Sequence, residues 1–147
     1  MNILLGALAM LCGVILTAQV GSNAALGKEL DNPFLAAAIN MAVGLVLTTL
    51  VVLVVAKPWP SAGEIRGVPW WAWFGGLLGT GYLIGNILLA PKLGAAVLVG
   101  AVVSGQLLFA VLADHFGWLG FEQHSAHLGR IAGCLLMVAG VALIAKY

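Results

Sequence analysis

Five apolar stretches of about 20 residues each dominate this chain, and each is long enough to cross the hydrocarbon layer of a bilayer. They fall at roughly 3–26, 33–56, 69–90, 93–113 and 128–146. The runs lack the strict alternation of a barrel strand, so every backbone polar group must be satisfied within its own segment. The sequence therefore predicts helices. Composition agrees: of 147 residues, 63% are hydrophobic and 7% are charged, with a mean hydropathy of +1.12. A soluble domain carries about 25% charged residues, more than this chain could bring to a surface. The connections 27–32, the proline-rich 57–68, a tight turn at Pro91-Lys92, and 114–127 leave no room for a soluble domain. The expectation is one compact five-helix domain spanning 1–147.

The net charge of +1 gives no nucleic-acid signal, and no nucleic-acid partner is expected. Cys12 and Cys134 lie inside apolar runs and read as small buried thiols, not a disulfide framework. A cleaved leader is disfavoured because residues 1–27 hold no Lys or Arg, and Leu11 precedes Cys12 where a lipoprotein site needs a small residue. The first segment reads as a retained span.

Call the side holding the N-terminus side A and the other side B. Lys57, Arg66 and Arg130 then fall on side A, and Lys28, Lys92 and Lys146 on side B. Orientation follows the Lys/Arg bias of short loops, and here the bias vanishes. Either the chain inserts one way despite the tie, or it inserts both ways. Trp59, Trp70, Trp71, Trp73 and Trp118 all lie on side A, and an antiparallel pair would supply them to both interfaces. Small residues recur four apart at Gly75/Gly79, Gly81/Gly85, Gly129/Gly133 and Gly100/Ser104. This spacing lets helix backbones approach closely, within one chain or between two.

A few polar residues interrupt the spans. At a rise of about 1.5 Å per residue, Gln19 and Asn40 lie ~10 Å from side B and Tyr82 lies ~12 Å from it. Asn23 and Asn86 sit one turn shallower on the faces of Gln19 and Tyr82, while Ser104 and Gln106 lie deeper on the fourth span. An unpaired amide in hydrocarbon costs several kcal/mol, so these groups must face protein or water. Two readings stay open: hydrogen bonds that glue helices together, or a wet cavity that binds a solute. For Ser22 or Asn23 there is a third, in which the first helix ends near Gly21 and one of them caps it. No ionisable residue lies in the middle of a span, which argues against a central carboxylate relay. Asp114 and His115 come closest, at the side-A end of span four. Glu122, His124 and His127 lack metal-ligand spacing and read as a polar interfacial loop, so no metal or cofactor is expected. Nothing pairs a nucleophile with a base, which argues against an enzyme.

The segments "AQVGSNAALGKEL" (Ala18–Leu30), "WFGGLLGTGYLIGNILLAPKLGAA" (Trp73–Ala96) and "GQLLFAVLADHFGWLG" (Gly105–Gly120) resemble the YdcZ-like family of the drug/metabolite transporter superfamily. The likeness covers all five spans. It implies an all-α inner-membrane protein of a bacterium, similar to one half of the ten-helix members, which are built as two five-helix repeats of opposite orientation. An antiparallel homodimer would complete the transporter, with the bilayer and a small-molecule substrate as its other partners. The resemblance makes Gln19, Asn23, Asn86, Tyr82, Ser104 and Gln106 cavity candidates; Asn40 joins them by depth. It makes Gly129, Gly133 and Gly140 packing candidates beside Gly75, Gly79, Gly81 and Gly85. The small multidrug exporters of the superfamily use a membrane Glu in their first helix, and this chain has none there. The leading expectation is a secondary transporter of a small polar or amphipathic solute. The alternatives are a passive dual-topology channel and a non-transporting membrane subunit.

Overall fold

The computed structural model describes residues 3–55 and 58–147. Ala56, at the end of the second expected span, and Lys57 of the side-A charge set lie outside the described residues. Among the described residues six α-helices follow one another: α1 (Ile3–Glu29), α2 (Pro33–Val55), α3 (Ala62–Gly67), α4 (Gly75–Leu93), α5 (Ala95–Phe116) and α6 (Leu128–Lys146). Short 3-10 turns at Trp70–Phe74 and Trp118–Gly120 precede α4 and follow α5. Five helical stretches are long and apolar enough to span a bilayer: α1, α2, Trp70–Leu93, α5 and α6. The expected all-α, five-span architecture is present, and no strand occurs among the described residues.

The chain divides into two units, Met1–Pro91 and Lys92–Tyr147. In the first, α1 runs on to Glu29, past the expected boundary. Ser22 donates its hydroxyl to Ala18 O (3.1 Å) inside the helix, so neither Ser22 nor Asn23 is a cap. The reversal into α2 is built from Asp31, at φ +46°, and Asn32. Asn32 Oδ1 accepts from the backbone N–H of Phe34 (3.1 Å) and Leu35 (3.0 Å). With Pro33 at the first helical position, this satisfies donors the helix cannot use itself. Side chains of α4 then pack on α2: Leu83 and Ile87 bury against Ala36 and Ala37, flanked by Leu26 and Ile84. Small residues permit that approach, and Gly27 shows how close it is. A Cβ on Gly27 would stand 2.8 Å from Ile87 Cγ2.

The side-A loop of this unit contains α3, started by a reciprocal cap. Ser61 Oγ accepts from Glu64 N (3.3 Å), and Glu64 Oε2 accepts from Ser61 N (2.7 Å). The Ser61 hydroxyl also donates to that carboxylate, and these bonds hold the Glu64 carboxyl below its ordinary range.

The turn expected at Pro91-Lys92 lies further on. Pro91 belongs to the last turn of α4, and the break between α4 and α5 falls at Gly94, whose φ of +75° suits a residue without a side chain. In the second unit α5 and α6 run antiparallel. Gly100, near the start of α5, faces Val141, near the end of α6, and a Cβ on Gly100 would stand 2.8 Å from Val141 Cγ2. At the other end α5 stops at Gly117, in the left-handed region at φ +64°, whose N–H returns to Ala113 O.

Few side chains in either unit are buried; the α2 window most suited to the bilayer buries none. The hydroxyls of Thr17, Thr48, Thr49 and Thr80 all donate to carbonyls a turn back in their own helices, so they can face lipid without a lost hydrogen bond.

Candidate functional site

The polar residues of the first unit sort into two kinds. Asn40 Nδ2 donates to Asn23 Oδ1 at 2.8 Å, joining α2 to α1. Asn23 is buried and Asn40 half-buried. The bond leaves the Asn23 NH2 group and the Asn40 oxygen with capacity to spare. Asn86 on α4 is also buried, beside the Leu83 and Ile87 packing face, and has no side-chain hydrogen bond among the described residues. By contrast, Gln19 and Tyr82 are exposed and make no side-chain hydrogen bond among the described residues. The expected common depth of Gln19 and Asn40 does not bring them together; Asn23, one turn along the same face, takes the bond instead.

The second unit repeats this division. Ser104 is buried and its Oγ has no partner among the described residues. It lies one turn from Gly100, on the face that approaches α6. Gln106 is exposed. Of the seven glycines expected to pack, a Cβ at Gly75, Gly79, Gly81, Gly85, Gly133 or Gly140 would meet nothing within 4 Å. At Gly129 it would meet only the nearby His127 ring. The close approaches are instead at Gly27 and Gly100.

A second polar cluster, which the sequence presented as a polar interfacial loop without its ion pair, lies at the side-A end of the second unit. The chain from Gly117 to His127 is strapped across α5 and α6. Asp114 on α5 forms an ion pair with Arg130 on α6, whose Nη1 also donates to His124 O (3.1 Å). The two side chains are 23% and 30% exposed, which places the pair where screening is incomplete. The Asp114 carbonyl accepts from His124 N (2.8 Å), and the His115 carbonyl accepts from Gln123 Nε2 (2.9 Å). His115 Nδ1 accepts from the backbone N–H of Ala126 (3.1 Å). His124 Nδ1 lies 3.0 Å from Glu122 O, to which it donates. The signal available in the sequence was the position of opposite charges, Asp114 and Arg130, at the two ends of one loop. Together with Ala126, the side chains of Leu108, Val111, Leu112, Ile131, Cys134 and Leu135 line an open apolar groove of about 210 Å³, in which Cys134 is buried and Leu108, Leu112, Ile131 and Leu135 are exposed. No three His, Cys, Asp or Glu side chains among the described residues are grouped to hold a metal ion.

The chemistry these groups offer is hydrogen bonding by neutral amides within the spans and charge confined to the ends. Such a set can hold a neutral polar solute and orient it; it has no ionisable group in mid-span to relay a proton.

Residues 4–143 match the model of the family described as "Putative inner membrane exporter, YdcZ". The chain is 31% identical over 109 residues to the inner membrane protein YdcZ of Escherichia coli strain K12, covering 74% of this chain and 72% of that one. No solved structure matches it. A match across nearly the whole chain, joined to five bilayer-length helices, makes this a multi-pass inner membrane protein and a member of the YdcZ-like family of the drug/metabolite transporter superfamily.

Proposed function

We propose that this membrane transporter moves a small polar or amphipathic solute by alternating access, as an antiparallel homodimer in which each 147-residue chain is one five-helix domain. The observation that supports this reading most is the exposure of Gln19, Tyr82 and Gln106 along helices that lie in hydrocarbon. A lipid-facing amide costs several kcal/mol, so something other than lipid covers these faces. A second copy enclosing a wet cavity does so with the residues in hand, as in transporters built from inverted repeats. The open glycines Gly75, Gly79, Gly81 and Gly85 then serve packing between copies. The family description points to export as the direction.

Two measurements test the two parts of this reading. For the dimer, single cysteines at Gly67 and at Glu29, both exposed, are labelled from outside intact cells in a background lacking Cys12 and Cys134. Each site is expected to label in a fraction of molecules, and two Lys added to loop 57–68 are expected to bias that fraction. All-or-none labelling would mean a single orientation and would end the antiparallel model. For the cavity, ligands are first found by thermal shift on the purified protein. Gln19→Ala should leave the melting temperature nearly unchanged and weaken ligand binding by roughly 2- to 10-fold, the loss of one neutral hydrogen bond. Asn40→Leu, which strands the Asn23 oxygen, should instead lower the melting temperature. If Gln19→Ala melts early and keeps its activity per folded molecule, Gln19 is a structural bond and the cavity lies elsewhere.

A further inference from the structure

We propose that three carboxamides at one helix junction, Asn23 on α1, Asn40 on α2 and Asn86 on α4, recognise a neutral solute that carries a primary amide or urea group. The proposal deepens the transporter reading and rests on it for passage across the membrane, but not for binding. The bond from Asn40 to Asn23 uses one donor and one acceptor. Exchanging the oxygen and nitrogen of both side chains leaves the same inventory, so one NH2 group and one carbonyl oxygen are spare in either orientation. Asn86 brings a third carboxamide, which like Asn23 is only 4% exposed. It has no side-chain hydrogen bond among the described residues.

The packing brings α4 to both helices of the pair. Leu83 and Ile87, which share the buried face of α4 with Asn86, pack on Ala36 and Ala37, one turn before Asn40. Ile87 also lies against Gly27, one turn beyond Asn23. The span hydroxyls of this unit behave differently: Thr17, Ser22, Thr48, Thr49 and Thr80 all donate to carbonyls of their own helices. Among the described buried and half-buried side chains of the unit, unused donors are therefore confined to the three amides. Helix pairing accounts for Asn23 and Asn40 but not for Asn86, because an amide buried in hydrocarbon without a partner costs stability. A ligand recovers that cost. A primary amide or urea presents N–H donors beside a carbonyl acceptor, and so complements an NH2 group and a carbonyl oxygen at once. A cation or a carboxylate would be buried there without a counter-charge, since no ionisable side chain lies in mid-span.

Benzamide is the probe. The full chain, purified in detergent, is melted across a benzamide series, and across matched series of N,N-dimethylbenzamide, benzoate and benzylammonium; the concentration dependence of the melting temperature gives each affinity. Benzamide should stabilise the protein, and the other three should bind roughly 5-fold or more weakly. Asn86→Leu removes an amide that has no partner in the free protein. It should melt at or above the wild-type temperature, yet bind benzamide roughly 2- to 10-fold more weakly. A structural Asn86 predicts the reverse, a lower melting temperature with unchanged affinity per folded molecule. That result would overturn the proposal, and so would benzamide binding no better than its dimethyl analogue. Flux of radiolabelled urea into proteoliposomes separates this site from the transporter reading. Asn86-dependent benzamide binding without protein-dependent urea flux keeps the site and counts against transport. Urea flux that Asn86→Leu leaves unchanged keeps transport and overturns the site.

Discussion

Arg130→Ala is expected to lower the melting temperature by roughly 5–10 °C, corresponding to about 2–3 kcal/mol for a chain of this size. The side chain has two partners, the Asp114 carboxylate and the His124 carbonyl. Its removal strands a half-buried carboxylate at the end of α5 and frees the strap at once. Asp114→Ala should cost less, because Arg130 keeps its bond to His124 O. Arg130→Lys should fall in between, since an ammonium cannot span both acceptors as the planar guanidinium does. The double variant Asp114→Ala/Arg130→Ala should be less damaging than the two single losses added together, because neither charge is then left without its partner. Thermal melts of the four proteins in one detergent decide the matter. If Asp114→Ala and Arg130→Ala each melt within about 1 °C of the wild type, the pair is an ordinary solvated contact of the kind that contributes little. Arg130 also carries one of the side-A positive charges, so its removal should shift the fraction of chains inserted each way.

The second large effect is expected at Gly100. A Cβ there would stand 2.8 Å from Val141 Cγ2 and 3.4 Å from Cγ1. Valine in a helix has one strongly preferred rotamer, so Val141 cannot swing aside cheaply. Gly100→Leu forces α5 and α6 apart and should cost about 1–3 kcal/mol or more, the usual range for overpacking. Gly100→Ala should show a smaller loss of the same sign, relieved by Val141→Ala in the same chain. Gly79→Ala is the contrast. Nothing lies within 4 Å of that position, so on helix propensity alone it should be neutral or stabilising by up to about 1 kcal/mol. If Gly79→Ala nevertheless abolishes a dimer detected by crosslinking, the glycine packs against a second copy. If Gly100→Leu melts like the wild type, the α5–α6 contact is looser than the structure places it.

These two sites also mark the limit of what could be read in advance. The five spans, their helical character and their approximate ends were legible because hydrocarbon thickness and backbone satisfaction leave little freedom. The start of α2 at residue 33 was legible in the same way, from the end of the short charged connection before it. The boundary at Pro91 moved because α4 runs on past the proline to Leu93, forgoing the one hydrogen bond that a proline nitrogen cannot donate to the carbonyl four residues back, and the break before α5 falls at Gly94. Family membership was carried by local strings of residues and needed no tertiary information.

Which faces meet was decided only in three dimensions. A helix fixes the angular spacing of its own side chains but not its rotation relative to a neighbour. In soluble proteins an apolar stripe supplies that rotation; these spans are apolar all round, and lipid is as apolar as leucine, so hydrophobicity prefers no face. Packing and polar pairing settle it instead. Asn23, not Gln19, therefore meets Asn40. Close approach occurs at Gly27 and Gly100, while the glycines spaced four apart on α4 stay open. Asp114, His115 and Arg130, separated in sequence by a loop that reads as merely polar, are gathered because α5 and α6 return to the same end of their unit and the loop between them must satisfy its backbone groups there.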